Sequence, residues 1–396
     1  MRFGYFDNLQ DPTQKRDYSD LIAEMRERAL LCEAAGMEIF WLPEHHFSIW
    51  GRELLPNPLM MAADLAARTH RIRLGLGAAI IGFWHPLRLA EDLALLDHLS
   101  GGRLEIGVGR GNYGLEASNL NPLADPNKPA MNLKVFLETL GVLRKALSEE
   151  RFSYKGEIYQ FPAPGFKADK AHTVNDPAYV DPETGELAKL TIYPRPKQRP
   201  LPPMWQMVSE AHDAIRGAAA LDMGVVMWRP SLNEIKLRAR VYKEAHDAAF
   251  GRNIPLGAKI AVVRDTFVAD SDAEARCIAE EACMGALNFA NWRGPQIYLD
   301  PGESLSAESE ASLKKRLSYE FVAPRSLFFG AADTVADSIV RLAKKTGIEH
   351  LIFKCGWPGL AHEETMRCLR RLSEEVLPRV RERLQAQRDV FGTAAE

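Results

Sequence analysis

Short apolar runs alternate with longer amphipathic stretches along almost the whole chain. A run of roughly four to eight apolar residues is typical of a buried strand, whereas apolar positions recurring at helical spacing are typical of a helix that faces a core. The pattern predicts strands at 2–6, 37–42, 71–77, 104–108, 203–207, 225–228, 258–268 and 350–354. It predicts a helix after each strand, at 18–35, 58–68, 86–99, 131–147, 210–221, 233–250, 272–284 and 362–382, with an extra helix at 334–346.

This series of strand–helix units predicts parallel strands that are joined by helical crossovers. The number of units and the continuously apolar strands favour a closed (β/α)8 TIM barrel over an open doubly wound sheet. We expect a single domain over residues 1–396, because barrels of this kind often run long as one domain. Two long insertions, at about 150–200 and 287–329, are expected at the barrel mouth, and the second could form a lid.

The composition is that of an ordinary globular enzyme. The chain is 46% hydrophobic and 26% charged with a formal net charge of −3, so no global field would attract nucleic acid or an anionic membrane. The five cysteines include no Cys-x-x-Cys pair, and their odd number argues against a disulfide framework. No signal-like leader and no apolar run of about 20 residues is present, so we expect a cytoplasmic protein.

Polar and small residues follow five of the predicted strands, at the end of a barrel where active sites are built. The second strand leads into LPEHHF (42–47), the third into GAA (77–79) and the fourth into GVGRGNY (107–113). The fifth leads into VSEA (208–211) and the sixth into Trp228 and Arg229. We therefore expect these segments to meet around one cleft.

Arg110 stands between two glycines, which allow a backbone to approach a ligand closely. The forked donors of an arginine suit a phosphate, and so do the free amides at a helix N-terminus. Ser209, Glu210 and Ala211 open the fifth predicted helix, so together with Arg110 they form a candidate phosphate site. In the alternative interpretation, Ser209 only caps this helix and Arg110 only forms an ion pair.

His45 and His46 follow a carboxylate and permit two interpretations. They could bind a metal together with His85, as in barrel hydrolases. Adjacent residues of an extended chain point to opposite sides, however, and no His-x-His pair is present. In the other interpretation His46 is a structural histidine and His45 faces the cleft.

Several of these segments resemble bacterial luciferase and its flavin-dependent monooxygenase relatives. The resemblance rests on LPEHHF (42–47), NP (57–58), HPLRLAED (85–92), LLD (95–97), SGGR (100–103) and GVGRG (107–111). It begins at MRFG (1–4), is dense to Tyr113, and continues thinly through 209–211 and 348–351 to the last helix. The motifs occur in the same order and at barrel-like spacing, which makes the resemblance specific.

The resemblance implies that the cofactor is FMN in its reduced form, FMNH2. His45 would correspond to the catalytic histidine of the family, and Tyr113 and Trp228 would line the ring or the substrate. Other aromatic candidates for the pocket are Trp50, Phe83, Trp84 and Trp292. The cofactor-binding residues that it implies are Arg110, Gly111, Ser209, Glu210 and Ala211 at the phosphate, with Ala78 and Ala79 as a non-proline cis peptide beneath the ring.

Three positions depart from the family pattern. Ala211 and Ala214 stand where hydroxyl residues would bond the phosphate, so backbone amides and Ser209 would have to compensate. Gly109 stands in place of a cysteine near the flavin, and we expect a roomier ring pocket.

The resemblance thus implies an FMNH2-dependent monooxygenase that activates O2 as a flavin peroxide and oxygenates a small, apolar organic substrate. A separate NAD(P)H:flavin reductase would supply the reduced flavin. A homodimer is implied by the resemblance alone. Two alternatives stay open: a deazaflavin-dependent hydride-transfer oxidoreductase and a non-catalytic flavin-binding partner subunit.

Overall fold

The fold is described from a computed structural model, which defines residues 1–167, 176–208 and 211–392 of the chain. The strands of this part are β1 (Arg2–Phe6), β2 (Ile39–Leu42), β3 (Arg73–Leu76), β4 (Ala79–Ile80), β5 (Leu104–Gly109), β6 (Tyr154–Lys155), β7 (Gln160–Phe161), β8 (Met204–Val208), β9 (Gly224–Trp228), β10 (Ile260–Val268), β11 (Leu327–Gly330) and β12 (His350–Lys354). The α-helices are α1 (Tyr18–Ala34), α2 (Pro58–Ala66), α3 (Pro86–Leu99), α4 (Gly114–Leu120), α5 (Pro129–Ser148), α6 (His212–Ala220), α7 (Leu232–Phe250), α8 (Asp272–Phe289), α9 (Ala307–Lys315), α10 (Tyr319–Ser326), α11 (Ala332–Thr346), α12 (His362–Arg371) and α13 (Leu377–Gly392).

The parallel strands close into a barrel. Their order around it is β1, β2, β3, β5, β8, β9, β10 and β12, and β12 pairs with β1 again. All of these neighbours are parallel, as helical crossovers require. The prediction of a closed (β/α)8 barrel is therefore confirmed.

The remaining strands lie outside the eight-stranded barrel. β4 pairs with the end of β5, β11 pairs with the second half of β10, and β6 and β7 form an antiparallel hairpin in the first insertion. In the second insertion, α8 runs on to Phe289 because Leu287 continues its buried face beyond the predicted end at 284. The insertion then folds into two short 3-10 turns, α9 and α10 rather than a bare loop.

Local sequence sets where the helices begin and end. The side chains of Asp17, Asn57 and Ser231 accept backbone N–H groups in the first turns of α1, α2 and α7. These bonds satisfy donors that a helix start leaves open. Gly251 and Gly347 end α7 and α11 in the left-handed conformation, with φ of 62° and 71°. The predicted last helix is divided, because a π-helical turn at Leu372–Val376 separates α12 from α13.

The interior of the barrel is packed with aromatic side chains. Trp41 on β2 and Trp205 on β8 are buried and meet edge to face, with ring centroids 5.9 Å apart. A Cβ on Gly75 would lie 2.4 Å from a Trp41 carbon, and one on Gly224 would lie 2.3 Å from a Trp205 carbon. These glycines therefore make room for the two indoles. No helix of the described residues is long and apolar enough to span a membrane.

Candidate active site

A cleft with a cavity volume of about 230 Å³ opens at the carboxyl ends of the barrel strands. This is the end at which sites of this fold form. The predicted site residues that line it are His45, Ala78, Arg110, Gly111, Tyr113 and Trp228. The segments after β2, β3, β5 and β9 thus meet around one cleft, as the strand-end pattern predicts.

Of the other predicted site residues, the described Ala79 and Ala211 do not line this cleft. Ala79 is fully buried in β4. Ala211 is the exposed N-cap residue of α6, which offers no side-chain cap. Ser209 and Glu210 lie outside the described residues. Their expected place at a phosphate therefore stays a prediction.

His45 lies between two carboxylates. Its Nε2 is 3.6 Å from a Glu53 oxygen, and its Nδ1 is 3.5 Å from a Glu116 oxygen. The His45 backbone N–H donates to the carbonyl of Leu55 at 2.9 Å, which anchors the segment. The ring lies beside that of Tyr113, with centroids 5.8 Å apart. The imidazole is thus positioned mainly by charge and packing, at the wall of the cleft.

These charges raise the proton affinity of the site. Burial disfavours the charged imidazole, but attraction to Glu53, Glu116 and Glu44 outweighs it, so the pKa of His45 is raised above the usual 6.5. Burial, together with the neighbouring Glu53, raises the pKa of Tyr113 above its usual 10.0. The phenol therefore stays protonated near neutral pH, as a hydrogen-bond donor beside His45.

Glu44 organises the loop that carries His45. Its side chain is 1% exposed and accepts from His46 Nε2 at 2.9 Å. It also accepts from the backbone N–H of Ile80 at 2.8 Å and from the Trp84 indole N–H at 3.0 Å. The carboxylate thereby ties the segment after β2 to the segment after β3.

The three histidines of the metal interpretation face different partners. His45 lies between Glu53 and Glu116, His46 is bonded to Glu44, and His85 packs against Phe161 with ring centroids 5.6 Å apart. Within the described residues, no group of three or more His, Cys, Asp or Glu side chains is placed to hold a metal ion. His46 has the structural contacts expected of it.

Arg110 directly follows β5, and its side chain is exposed. Within the described part of the chain its guanidinium has no hydrogen bond or ion pair. Its backbone carbonyl instead accepts from the Asn132 amide at 3.0 Å, and Gly111 has a φ of 82° that favours glycine. The backbone is held while the cation points outward, an arrangement that suits a phosphate.

The cis peptide bond is one position earlier than expected. It joins Gly77 to Ala78, not Ala78 to Ala79. β3 ends at Leu76, and Ala79 already pairs with Val108 as part of β4. The bond between Ala78 and Ala79 therefore leads into extended strand backbone, and the expectation of a cis bond there was wrong.

Small and aromatic residues form the apolar part of the cleft wall. Ala78 and Gly109 lie in contact, since a Cβ on Gly109 would be only 3.1 Å from that of Ala78. Phe6 and Trp228 form an edge-to-face pair across the cleft wall, with centroids 4.7 Å apart. The cleft thus combines a cation with an apolar wall, and these could hold a flat cofactor that carries an anionic group.

The cleft is lined by charged side chains as well as aromatic ones. Of the aromatic candidates, Tyr113, Trp228 and Trp292 line it, whereas Trp50 is 55% exposed elsewhere and Trp84 is bonded to Glu44. The cationic residues that line it are Arg52, Arg110, Arg229, Arg293 and Lys354, and the carboxylate residues are Glu44 and Glu53. The lining therefore combines aromatic side chains with charged ones.

Some of these residues could have been found from sequence and others could not. Lys354 ends β12, so extending the strand-end rule to the eighth strand would have identified it. Glu53 and Glu116 lie in a loop and on α4, and nothing in their local sequence connects them with His45. Tertiary structure alone brings these carboxylates to the imidazole.

The second insertion reaches the mouth of the cleft. Trp292, Arg293 and Tyr298 of its 3-10 turns line the cavity. Arg293 Nη2 donates to Asn112 Oδ1 at 3.1 Å, which bridges the insertion to the segment after β5. The position of the insertion agrees with the expected lid.

Comparison with known proteins places the chain in a family. Residues 1–350 match the family described as luciferase-like monooxygenase. The oxygenase component of the flavin-dependent trigonelline monooxygenase of Acinetobacter baylyi is 27% identical over 390 residues, which cover 96% of this chain and 95% of that protein.

Solved structures agree at the level of the fold. Monooxygenase RslO1 from Streptomyces bottropensis has a TM-score of 0.74 at 24% identity, covering 96% of this chain and 99% of its own. The oxygenating constituent of 3,6-diketocamphane monooxygenase from Pseudomonas putida, solved in complex with FMN, has a TM-score of 0.73 at 20% identity and covers 96% and 98%. The chain therefore belongs to the luciferase-like monooxygenase family, as a flavin-dependent monooxygenase.

Proposed function

We propose that this chain is the oxygenase component of a two-component system that uses FMNH2, supplied by a separate NAD(P)H:flavin reductase, to oxygenate a small organic substrate with O2. The observation that supports this proposal is that Arg110 and His45 line the same cleft. Arg110 is exposed and has no ion-pair partner among the described residues, and His45 lies between two carboxylates. An anion site and a proton-transfer group on one rim are the two parts that this chemistry asks of the protein.

Arg110, with the backbone at Gly111, would hold the phosphate, while Ala78 would support the ring. The bound reduced flavin supplies the electrons that make O2 reactive. The protein's task is then to orient, to shield from water and to handle protons. Ser209 and Glu210 are proposed to complete the phosphate site, as the family pattern implies.

His45 is the proposed catalytic residue. Its raised pKa increases the share of the imidazolium form at a given pH, and that form can donate a proton at Nε2 or Nδ1 and recover one afterwards. Glu53 and Glu116 stabilise that charged form. Tyr113 adds a second donor at the same wall of the cleft.

The second insertion is proposed to exclude water from this cleft. Trp292 and Tyr298 offer apolar cover, and the bond from Arg293 to Asn112 closes the gap to the segment after β5. Water exclusion favours oxygen transfer over loss of hydrogen peroxide.

The test is an anaerobic titration of the protein with FMNH2 and, in parallel, with a reduced deazaflavin, followed by exposure to O2 and a substrate panel. The panel starts with trigonelline and 3,6-diketocamphane, because relatives are named for them. Tight FMNH2 binding with oxygenated product supports the proposal. Failure to bind FMNH2 contradicts it, a preference for the deazaflavin indicates hydride transfer, and binding without any product indicates a partner subunit.

We further propose a cytoplasmic homodimer, which rests on the family resemblance. Sedimentation velocity of the purified chain tests the dimer directly. A species of 44.3 kDa at all concentrations would show a monomer.

A further inference from the structure

Lys354 is a buried cation at the cleft that the proposed flavin chemistry does not use. It is the last residue of β12, it lines the cavity, and only 8% of it is exposed. Its Nζ lies 5.3 Å from the centroid of the Phe6 ring. Within the described residues, the ammonium forms no ion pair and no hydrogen bond. Burying an ammonium without a partner is unfavourable, so its position points to a ligand.

The carboxylates that act on Lys354 are Asp265, Asp7 and Glu53, and each has another partner, which for Glu53 is His45. Asp265 forms an ion pair with Arg229 and accepts from the Trp357 indole N–H at 2.7 Å. Asp7 is paired with Arg28 at 2.6 Å. Burial lowers the pKa of Lys354, and attraction to Asp265 offsets this only in part. An anion that entered the cleft would therefore supply the missing partner.

Lys354 and Arg110 lie on opposite sides of the barrel. β5 is fourth and β12 eighth in the closed order that begins at β1, so half the ring separates the two cations. One phosphate cannot neutralise both groups. Arg110 is placed at the proposed phosphate site, which leaves Lys354 for a second anionic group.

The residues around Lys354 indicate which chemical groups the rest of the ligand carries. Phe6, Trp228 and Tyr298 line the same cavity and offer aromatic faces and edges. Arg52 lies at the rim over the Phe289 ring, at 5.3 Å from its centroid, and within the described residues it has no carboxylate partner. Arg229 is paired with Asp265, but the remaining cationic side chains still outnumber the carboxylates along the lining, which favours an anionic ligand over a cationic one.

We propose that Lys354 binds the carboxylate of a small aromatic acid, which is the substrate class of this enzyme. The proposal rests on the proposed monooxygenase function, since it assigns the substrate of that same cleft. The ammonium anchors the acid at the β12 side, and the aromatic ring of the acid packs among Phe6, Trp228 and Tyr298.

The test compares acids with their uncharged amides: benzoate with benzamide, and phenylacetate with phenylacetamide. Binding to the full-length protein is measured by titration calorimetry, without flavin and after saturation with FMN. Lys354→Met removes the charge at similar length, and Lys354→Arg keeps it. Lys259→Met is the matched control, because Lys259 pairs with Asp222 outside the cleft. Thermal unfolding and circular dichroism check that each variant is folded, and Lys354→Gln replaces Lys354→Met if the latter is not.

We expect the wild-type protein and the control to bind at least one acid tenfold or more tightly than its amide. Lys354→Met should lose most of this preference with amide binding unchanged, and Lys354→Arg should keep part of it. Equal binding of acids and amides by the wild type, no binding of either acid, or a preference that survives in Lys354→Met would overturn the proposal. So would a tenfold loss of FMN affinity in Lys354→Met with the acid preference intact, because Lys354 would then serve the flavin. Failure of the wild type to bind FMNH2, with the acid preference present, would refute the flavin assignment and leave the carboxylate site standing.

Discussion

His45 lies between carboxylates of different burial, since the Glu116 side chain is 3% exposed and that of Glu53 is 26% exposed. The raised pKa of His45 means that its charged form stabilises the folded protein fully below the unfolded value of about 6.5. That contribution is lost as the pH rises through the folded pKa. The same proton affinity sets the pH range in which the imidazole can donate.

Glu53→Gln tests this electrostatic support. Burial lowers the pKa of His45 and the Glu53 carboxylate raises it. Without this carboxylate the pKa of His45 should fall, and the high-pH limb of kcat should move to lower pH. The shift is measured from pH–rate profiles and from the imidazole proton resonances. Glu91→Gln, an exposed glutamate paired with Arg88, is the control. An unchanged profile in Glu53→Gln would show that the carboxylate does not govern His45.

His45→Gln tests the proton-transfer role. General acid–base groups contribute roughly 10²–10⁴-fold to a rate, so kcat should fall by at least about 100-fold. FMNH2 affinity, followed by anaerobic fluorescence titration, should stay within about threefold because the phosphate site is built from other residues. His98→Gln, on the outside of α3, is the control. Turnover near the wild-type rate would remove His45 from the mechanism.

At the scale of elements, the second insertion contacts both the cleft and the segments around it. α9 has no buried residue, so it contributes little core of its own. The contact of the insertion with the cleft depends on its 3-10 turns, where Arg293 bonds to Asn112. The bond to Asn112 is exposed, whereas Tyr298 is buried and Asp300 bonds to Ser231, so a substitution at Asn112 can loosen the cover without unfolding it.

Asn112→Ala removes the acceptor for Arg293 and should loosen this cover. More water would reach the flavin, and we expect the hydrogen peroxide released per FMNH2 consumed to rise by about twofold or more. The melting temperature should be unchanged because the bond is exposed. Peroxide and product are quantified in the same single-turnover reaction. Asn119→Ala, on α4, is the control, and an equal rise in both variants would argue against the cover.

At the scale of the whole molecule, the barrel interior includes a buried histidine without hydrogen-bond partners. His350 packs between Trp41 and Trp205, and neither ring nitrogen has a partner among the described residues. Burial, with a smaller effect of Arg2, lowers the pKa of His350 from 6.5 to about 3. The unfolded chain therefore binds more protons than the folded one between these values, and acid favours unfolding.

This histidine predicts a specific acid sensitivity. Between pH 7 and pH 4.5 it should reduce the free energy of unfolding by roughly 2 to 3 kcal/mol, from the linkage between pKa and stability. His350→Leu should remove that part of the pH dependence, as measured by urea unfolding at the two pH values. His70→Leu, at an exposed position, is the control. An equally steep pH dependence in His350→Leu would refute the assignment.

The sequence predicted the eight barrel strands and the helices that follow them, with ends that differ from the observed ones by a few residues. Strands such as β1 and β12 and helices such as α3 and α7 are recognisable because their apolar periods are local and their ends carry caps. His45 and Arg110 could also be found, since a barrel places every strand end on one rim. The insertions were located but not resolved into α9 and α10, because α9 has no apolar face to reveal it.

The sequence by itself therefore determined the barrel, its order and the strand-end residues, through periodicity that depends on neighbours in the chain. Tertiary structure alone decided which distant groups meet there: Glu53 and Glu116 beside His45, and Asp265 with Arg229. It also left the Lys354 ammonium without an ion pair or a hydrogen bond among the described residues. Charge and desolvation act through space, so no local pattern along the chain could report them.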